Sequence, residues 1–318
     1  MVGAFRRVGT PASMLTLVCL VLSVLAAATP ATAAKDPRLT RAVYVDPTTA
    51  SARAAVKDKR YAPIGSRAQA FWLTEGYPAS KVASVAAEYA DRARRAKRTP
   101  LLAVYAITGR DCGQHSAGGL SPTQYKAWVD QVAKGLRGRY AMVVLEPDAL
   151  ALLGACSGQG DRTALLRYAT RSLARAGVWV YIDAGHSRWI TPQDMAKRLV
   201  SAGVRDARGL ATNTSNFRPT SEERTYGAAV VGELAKLGVK GKRYVVDTSR
   251  NGAAKPVTPG VWCNPPAARL GHTPMIVDRN GLDAYLWVKR PGESDGRCEG
   301  GPNAGTWWPT GARRLLAR

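Results

Sequence analysis

The stretch covering residues 141–150 constrains the fold more than any other part of the chain. Residues 141–145 form a continuous apolar run, which is typical of a strand buried in a parallel sheet. Pro147 cannot donate to a sheet ladder and favours extended geometry at Glu146, so we expect the strand to end there. Asp148 would then lie at the carboxyl end of a core strand, where α/β proteins place catalytic groups, although an aspartate in this position can equally cap a loop.

Short strand-like runs that end in acidic or amide residues recur along the chain. They cover residues 101–107 before Arg110 and Asp111, 178–182 before Asp183, 209–212 before Asn213 and Asn216, 244–246 before Asp247, and 285–288 before Lys289, Glu293 and Asp295. The carboxyl ends of parallel strands meet at one end of a sheet, so we expect these side chains to face one another. One aspartate after a strand needs no functional explanation, but a ring of them does.

Helix-like segments alternate with these runs. Amphipathic spacing predicts a helix that opens at Pro78 and further helices over residues 122–136, 162–176, 192–200 and 222–237. Two more strands are expected near residues 42–45 and 70–73. About eight strands alternating with helices predict an α/β fold, most simply a TIM-like parallel βα barrel of about seven to eight strands.

Residues 1–34 have the features of a secretion signal peptide. Arg6 and Arg7 give a positive start, residues 14–28 are mostly apolar, and residues 31–33 form an A-x-A cleavage pattern. The apolar segment is short for a membrane span, and no lipobox surrounds Cys19. We therefore expect secretion, with no membrane association after cleavage. No repeat or Ser/Thr/Pro linker interrupts residues 35–318, which are predicted to be a single domain.

Four cysteines follow the predicted signal: Cys112, Cys156, Cys263 and Cys298. An even number in an exported chain predicts two disulfides, for which three connectivities are possible. There is no C-x-x-C pair and the three histidines are scattered, so no zinc site or other metal site is expected.

The formal net charge is +23, and much of it falls on predicted helices, as in residues 91–98. A solvated helix face explains such charge, and adhesion to anionic wall polymers is the alternative. Nucleic-acid binding is not expected, because the charge is dispersed and no recognition motif accompanies it. The glycine-rich residues 109–119 lack a P-loop lysine, and no G-x-S-x-G elbow is present, which argues against nucleotide binding and against a serine hydrolase.

Several tryptophans lie beside the polar motifs. Trp189 and Trp262 fall in predicted loops among Gly, Pro and Asn, where stacking on a flat ligand is as plausible as packing. Several carboxylates with exposed aromatic rings indicate a carbohydrate cleft, because pyranose rings have apolar faces and hydroxyl rims. Glycosidic cleavage needs one protonated carboxyl group for the leaving oxygen and a second group that activates water.

As a set, these motifs resemble glycoside hydrolase family 6, the inverting cellulases, over nearly all of residues 35–318. The matching blocks, in chain order, are Gly109-Arg110-Asp111-Cys112, Leu145-Glu146-Pro147-Asp148, Tyr181-Ile182-Asp183-Ala184-Gly185-His186, Ala211-Thr212-Asn213-Thr214-Ser215-Asn216, Asp247-Thr248-Ser249-Arg250-Asn251-Gly252, Trp262-Cys263-Asn264-Pro265 and residues 286–296, which read LWVKRPGESDG. The resemblance implies a distorted βα barrel and a single catalytic domain that needs no cofactor.

The resemblance also implies roles for four aspartates. Asp148 matches the general acid of the family. Asp111 matches the residue that raises the pKa of this acid and helps to organise the catalytic water. Asp295 matches the candidate base, and Asp183 matches a carboxylate that supports the electrostatics of the acid.

The other implied site residues surround these aspartates. They are Arg110 and Arg250 near the acid, Trp72, Trp189 and Trp262 as stacking platforms, Tyr105 under the distorted sugar ring, Lys289 and Glu293 on sugar hydroxyls, and Asn213 and Asn216 as further substrate-binding residues. The family pairing of cysteines implies disulfides between Cys112 and Cys156 and between Cys263 and Cys298.

Two positions depart from the family pattern. Residues 105–108 replace a stretch that often carries Asn or Asp followed by Pro, which predicts a different loop mobility. Some members hold the water with a serine at the position of Ala117, and Ser116 is the available substitute.

We therefore expect a secreted, monomeric, inverting endo-β-1,4-glucanase that acts on β-glucan. Endo action is favoured over a cellobiohydrolase because the chain is short between Gly271 and Leu282 and after Asp295, where tunnel-forming members carry long loops. A non-catalytic glycan-binding or wall-binding protein is the alternative outside the class. Such a binder needs aromatic rings but has no use for four catalytic aspartates.

Overall fold

The computed structural model describes residues 1–7, 9, 35–258 and 260–317. The chain divides into two compact units, Met1–Ala34 and Lys35–Arg318. The apolar segment 14–28 and the cleavage pattern 31–33 lie outside the described residues, so the signal peptide stays a prediction. No helix in the described part of the chain is both long enough and apolar enough to span a membrane.

The second unit is built on an eight-stranded sheet. Its strands are β1 (Phe71–Thr74), β2 (Leu101–Tyr105), β3 (Met142–Leu145), β4 (Trp179–Asp183), β5 (Gly209–Thr212), β6 (Arg243–Asp247), β7 (Met275–Arg279) and β8 (Leu282–Leu286). The spatial order is β1-β2-β3-β4-β5-β6-β8-β7, and all neighbours are parallel except β7 and β8. The predicted α/β fold with a mostly parallel sheet is confirmed.

The helices α1 to α9 occupy much of the remaining described chain. Their bounds are α1 (Pro37–Thr40), α2 (Ala50–Lys57), α3 (Ala62–Gly65), α4 (Ala79–Arg95), α5 (Pro122–Leu136), α6 (Arg162–Arg175), α7 (Pro192–Ser201), α8 (Thr220–Lys236) and α9 (Pro309–Leu316). The predicted helices correspond to α4 to α8, which alternate with the parallel strands. Helix α5 begins at a capping box formed by Ser121 and Gln124, with Pro122 in its first turn.

One expected strand is absent, and one observed strand was not expected. The predicted strand at residues 42–45 is reduced to an isolated bridge between Val43 and Thr99. Strand β7 was not predicted, and it runs antiparallel to β8 through a tight hairpin. Asn280 and Gly281 form its turn with φ of 50° and 82°, the left-handed conformation that two-residue hairpins require.

Alternate residues of each strand pack on opposite sides of the curved sheet. In β2, Leu101 and Ala103 point into the barrel, whereas Leu102 and Val104 pack against the surrounding helices. Small side chains such as Ala211 and Ala284 help the strands to close around this interior. Because both faces are buried, the strands read as continuous apolar runs in the sequence.

The barrel is not closed by regular pairing between β1 and β8. At this β1–β8 seam the N–H of Ala70 donates to the carbonyl of Trp287 at 2.9 Å. The indole N–H of Trp72 donates to the carbonyl of Val288 at 2.8 Å, and Nε of Arg290 donates to the carbonyl of Ala70 at 3.0 Å. The expected distortion of the barrel therefore lies at this seam.

Both disulfides join the pairs implied by the family resemblance. Cys112 is bonded to Cys156, and Cys263 is bonded to Cys298. The first bridge fixes the loop after β2 to the segment after β3. The second fixes the segment after Trp262 to the loop after β8.

Candidate active site

A cavity of about 660 Å³ opens at the carboxyl ends of the strands. Eleven of the predicted site residues line it: Trp72, Tyr105, Arg110, Asp111, Asp148, Trp189, Asn216, Trp262, Lys289, Glu293 and Asp295. Three others, Asp183, Asn213 and Arg250, are buried and are not among the lining residues. The predicted ring of polar residues thus forms one cleft with a buried supporting layer.

The turn after β3 presents Asp148 through a strained backbone. Glu146 and Asp148 have φ of 50° and 66°, so the expectation that Pro147 holds Glu146 extended is wrong. The cause is the carboxylate of Glu146, which is buried and accepts hydrogen bonds from the N–H groups of Ala106 and Ile107 at 3.1 Å. Left-handed non-glycine residues are costly and are found where a side chain must be aimed.

The surroundings of Asp148 favour the protonated form of its carboxyl group. Burial raises its pKa well above the ordinary value, and the negative charges of Asp183, Asp111 and Asp295 raise it further. Asp111 is the expected main source of the neighbouring negative charge, but the charge of Asp183 raises the pKa of Asp148 more than that of Asp111 does. Oδ1 of Asp148 has no hydrogen-bond partner among the described residues. A carboxyl group that lines a cleft and whose surroundings favour the protonated form is suited to donating a proton to a ligand.

Asp183 lies at the end of β4 directly behind Asp148. Its Oδ1 accepts hydrogen bonds from the N–H of Asp148 at 2.9 Å and from the N–H of Gly185 at 3.0 Å. Burial raises the pKa of Asp183 to about 6, even though these hydrogen bonds favour the charged form. The residue therefore fixes the backbone of Asp148 and also influences its charge.

Two neighbouring cations stabilise the ionised form of Asp295. Its Oδ2 accepts from Nη1 of Arg250 at 2.7 Å and from the N–H of Asn264 at 3.0 Å, and its Oδ1 lies 3.0 Å from Nζ of Lys289. Burial alone would raise the pKa of Asp295, but Arg250 and Lys289 outweigh it and lower the pKa to about 2. Arg250 therefore contacts Asp295, and the support of the acid that the resemblance implies for Arg250 stays a prediction.

The loop after β2 carries Asp111 in a left-handed conformation, with φ of 57°. Its Oδ2 accepts from the N–H of Ser116 at 2.7 Å, and burial raises the pKa of Asp111. Arg110 stabilises the same loop by donating to the carbonyl of Tyr105 at 2.7 Å and to the carbonyl of Ser116 at 2.8 Å. Ser116 and Ala117 both line the cavity.

Glu75 supports the site through its contacts and was not among the residues predicted from the sequence. It follows β1, pairs with the guanidinium of Arg110, and accepts from the N–H of Gly119 at 3.1 Å. It therefore attaches the loop that carries Asp111 to the neighbouring strand. Its position after the first strand could have identified Glu75 from the sequence, because the other predicted polar residues also lie at the ends of strands.

Aromatic rings lie along the cleft between these charged groups. Trp72 and Tyr105 meet edge to face with ring centroids 5.3 Å apart, and Trp189 packs against His186 at 5.2 Å. Trp262 is 40% exposed, which leaves one of its faces open to a ligand. Rings held in this way can stack on the apolar faces of sugar units.

The two asparagines have different positions. Asn216 lines the cavity. Asn213 is buried, donates to the carbonyl of Asp247 at 2.8 Å and accepts from the N–H of Arg218 at 3.0 Å. Asn213 therefore holds the loop after β5 in place and does not face the cleft.

One group of potential metal ligands comes together among the described residues: His115, Cys263 and Cys298. Both sulfurs are bonded to each other in the disulfide, so no thiolate is present to bind a metal ion.

The comparisons with known proteins agree with this geometry. The family model described as Glycosyl hydrolases family 6 matches residues 32–318. The chain belongs to this family. The resemblance stated from the sequence motifs is thereby confirmed, together with the assignment to the glycoside hydrolases.

Similar proteins within the family are named as endoglucanases. The chain is 49% identical over 278 residues to Endoglucanase A of Cellulomonas fimi, covering 86% of this chain and 60% of the relative's length. It is 38% identical to Endoglucanase 1 of Streptomyces halstedii, covering 96% of this chain and 97% of that one. This chain therefore spans 60% of the length of the first relative and nearly all of the second.

Solved structures of the family share the fold. The endoglucanase Cel6 of Mycobacterium tuberculosis, in complex with methyl-cellobiosyl-4-deoxy-4-thio-β-D-cellobioside, matches with a TM-score of 0.83 and 40% identity over 88% of this chain and 98% of that one. The catalytic core of the cellobiohydrolase Cel6A of Chaetomium thermophilum matches with a TM-score of 0.77 at 23% identity, over 88% of this chain and 98% of that one. The expected distorted barrel is thus confirmed as the family fold.

Proposed function

We propose that this chain is a secreted, monomeric endo-β-1,4-glucanase that cleaves internal bonds of cellulose or a related β-glucan with inversion at the anomeric carbon. The observation that carries the proposal is the environment of Asp148. This carboxyl group is buried beside the carboxylates of Asp183, Asp111 and Asp295, and its pKa is raised well above the ordinary value. It opens onto a cleft with tryptophan platforms.

In the proposed reaction Asp148 protonates the oxygen of the departing sugar. A water molecule attacks the anomeric carbon from the opposite face of the ring, so the configuration inverts, and the proton that this water loses passes to Asp295 or through further water molecules to solvent. Asp295 is the candidate base, but its pKa of about 2 makes it a weak proton acceptor. Asp295 therefore acts mainly through its negative charge, which stabilises the positive charge that develops on the sugar ring in the transition state.

Two other residues adjust this chemistry. Asp111 is the second carboxylate in the cleft whose pKa is raised, by burial, and it lies on a loop held by Arg110 and Glu75. Tyr105 lines the cleft beside Trp72, where it can pack under a distorted ring. Distortion of the sugar toward the transition state adds to the effect of the acid.

Endo action is favoured over exo action by the form of the cleft. The short segment expected between Gly271 and Leu282 is mostly strand β7 and its turn to β8, and this turn lies at the end of the sheet away from the cleft, so it does not decide how far the cleft is covered. Trp262 is 40% exposed on the cleft wall. A polymer can therefore enter sideways, and the endoglucanase names of the similar proteins support the same choice.

A non-catalytic glycan-binding protein is the weaker candidate. A binding protein gains from aromatic platforms, but a buried protonated carboxyl group costs stability and adds nothing to stacking. Asp148 and the strained turn that aims it are accounted for by catalysis.

The proposal is tested by comparing viscosity loss with reducing-sugar release on a soluble cellulose derivative. Endo action lowers viscosity steeply while few reducing ends appear, whereas release of cellobiose alone with little viscosity loss would contradict it. NMR of freshly formed product should show the α-anomer first, and an initial β-anomer would contradict inversion. Amino-terminal sequencing of the exported protein tests the expected cleavage near residue 34.

A further inference from the structure

One cation in the cleft differs from the rest. Five arginines and lysines line the cavity, and four of them lie within 4 Å of a carboxylate: Arg110 of Glu75, Arg188 of Glu222, Lys289 of Asp295, and Arg290 of Glu293. Arg218 has no such partner among the described residues, although it is only 5% exposed. Glu222 and Glu223 attract the charge of Arg218, but neither forms an ion pair with its guanidinium, and a buried charge without a direct partner is costly, so a ligand that pairs with it would be stabilising.

The position of Arg218 is fixed by the protein. Its N–H donates to Oδ1 of Asn213 at 3.0 Å, and its carbonyl accepts from Nδ2 of Asn251 at 2.9 Å. Nη2 of its guanidinium donates to the carbonyl of Val257. Nε and Nη1 have no hydrogen-bond partner among the described residues, so these two nitrogens remain available as donors to a ligand in the cleft.

The surroundings favour a negative ligand at this point. Burial, with a contribution from the charge of Arg218, lowers the pKa of His186 to about 4, so above that pH this histidine adds no positive charge beside Arg218. The nearby Arg188 is already paired with Glu222 at 3.0 Å. A sugar hydroxyl could accept from Arg218, but only a carboxylate both accepts and neutralises the buried charge.

We propose that Arg218 forms a subsite for a carboxylate-bearing unit of the glucan, such as a glucuronate residue within a β-1,4-linked chain. This inference rests on the proposed function, because it assigns a substrate feature to the same cleft. It implies that the enzyme binds partly oxidised or carboxylated cellulose more tightly than neutral cellulose.

The experiment uses the Asp148→Asn variant, in which the oligosaccharide is not consumed. Calorimetry compares cellopentaose with cellopentaoses that carry a single glucuronate at each position in turn, at low ionic strength. We expect one position at which the glucuronate raises affinity about tenfold, the size of a charge-assisted hydrogen bond in a partly wet site. Adding Arg218→Met should abolish this preference while neutral cellopentaose binds within a few fold.

Two further variants separate charge from folding. Arg218→Lys keeps the charge and should keep part of the preference, which would not occur if the site had simply collapsed. Arg188→Met removes a paired arginine from the same cleft and should leave the position-specific preference intact. Equal affinities for all the oligosaccharides, or a preference that survives Arg218→Met, would overturn the subsite. Failure of neutral cellopentaose itself to bind would instead overturn the glucanase proposal and the subsite with it.

Discussion

The N–H of Asp148 donates to Oδ1 of Asp183 at 2.9 Å, so the two carboxylates are joined by a backbone contact as well as by their charges. Burial and the charge of Asp183 are the two largest causes of the raised pKa of Asp148. Because Asp183 is buried and does not line the cleft, its effect on catalysis is exerted through Asp148.

Replacing Asp148 with Asn should remove the proton donor and leave the shape of the cleft. General acid catalysis contributes about 10²–10⁴-fold, so turnover of cellulose should fall by at least this factor. A dinitrophenyl glycoside or a glycosyl fluoride has a leaving group that needs little protonation and should lose much less. Initial rates on both substrate types check this, and an equal loss on both would assign the acid to another residue.

Replacing Asp183 with Asn should shift the pH profile of activity. Asn keeps an oxygen that can accept from the N–H of Asp148, but it removes the negative charge that raises the pKa of Asp148. Asp148 should then lose its proton at a lower pH, and the alkaline limb of kcat/KM should move toward acid. Asp206→Asn, an exposed carboxylate paired with Arg171, is the control and should leave the profile unchanged. A uniform fall with no shift would mean that Asp183 acts only on structure.

Glu223 on α8 should make stability depend on pH. Burial raises its pKa from 4.5 to about 7. For a raised pKa the contribution to stability is fully present below pH 4.5 and is lost as the pH rises through about 7. Glu223→Gln stays neutral and keeps an acceptor for the N–H of Ser187, so it should be more stable than the natural protein at pH 8, by on the order of 3 kcal/mol at most.

Urea unfolding at pH 4.5 and pH 8 measures this difference. At the lower pH the Glu223→Gln variant and the natural protein should differ little. Glu88→Gln changes an exposed glutamate on α4 and serves as the control, with no gain at pH 8. A Glu223→Gln variant that is less stable at pH 8 would show that Glu223 is ionised without cost in the folded protein.

Removing the disulfide between Cys112 and Cys156 should cost stability and also activity. The bridge joins residues 44 positions apart, and the chain-entropy treatment gives about 4 kcal/mol for a loop of this length. The double Cys→Ser variant also releases the loop that carries Asp111, so its activity should fall as well. If this loop matters more for catalysis than the loop held by Cys263 and Cys298, the activity should fall more than in the matching double variant at Cys263 and Cys298. Unfolding free energies and rates of both double variants, with the natural protein as reference, make the comparison.

Much of the fold follows from the sequence because the parallel strands are buried on both faces. Strand β3 and helix α5 have local patterns strong enough to set their positions, and the polar residues after the strands indicate the end at which the cleft forms. Strand β7 was not predicted because it is a half-exposed edge strand, and its residues do not form a continuous apolar run.

The detailed roles of the site residues were harder to obtain from sequence. Arg250 and Asp295 are 45 positions apart, and no local pattern reveals that their side chains meet. The N–H groups that bind the carboxylate of Glu146 belong to Ala106 and Ile107, which follow β2 and lie about 40 positions away in the chain. Contacts across the barrel decide charge and geometry, and periodicity in one segment carries no information about them.

The incomplete pairing between β1 and β8 has a consequence for motion. Where Ala70 and Trp287 share a backbone hydrogen bond without a continuing ladder, this side of the barrel should open more readily than the paired strands opposite. Amide hydrogen exchange should therefore be faster in β1 than in β3. A glucan lying between Trp72 and Lys289, which line the cleft on either side of the gap, would join the two edges and slow that exchange. The substrate would then add a further link between the two edges to the few hydrogen bonds that the protein itself forms there.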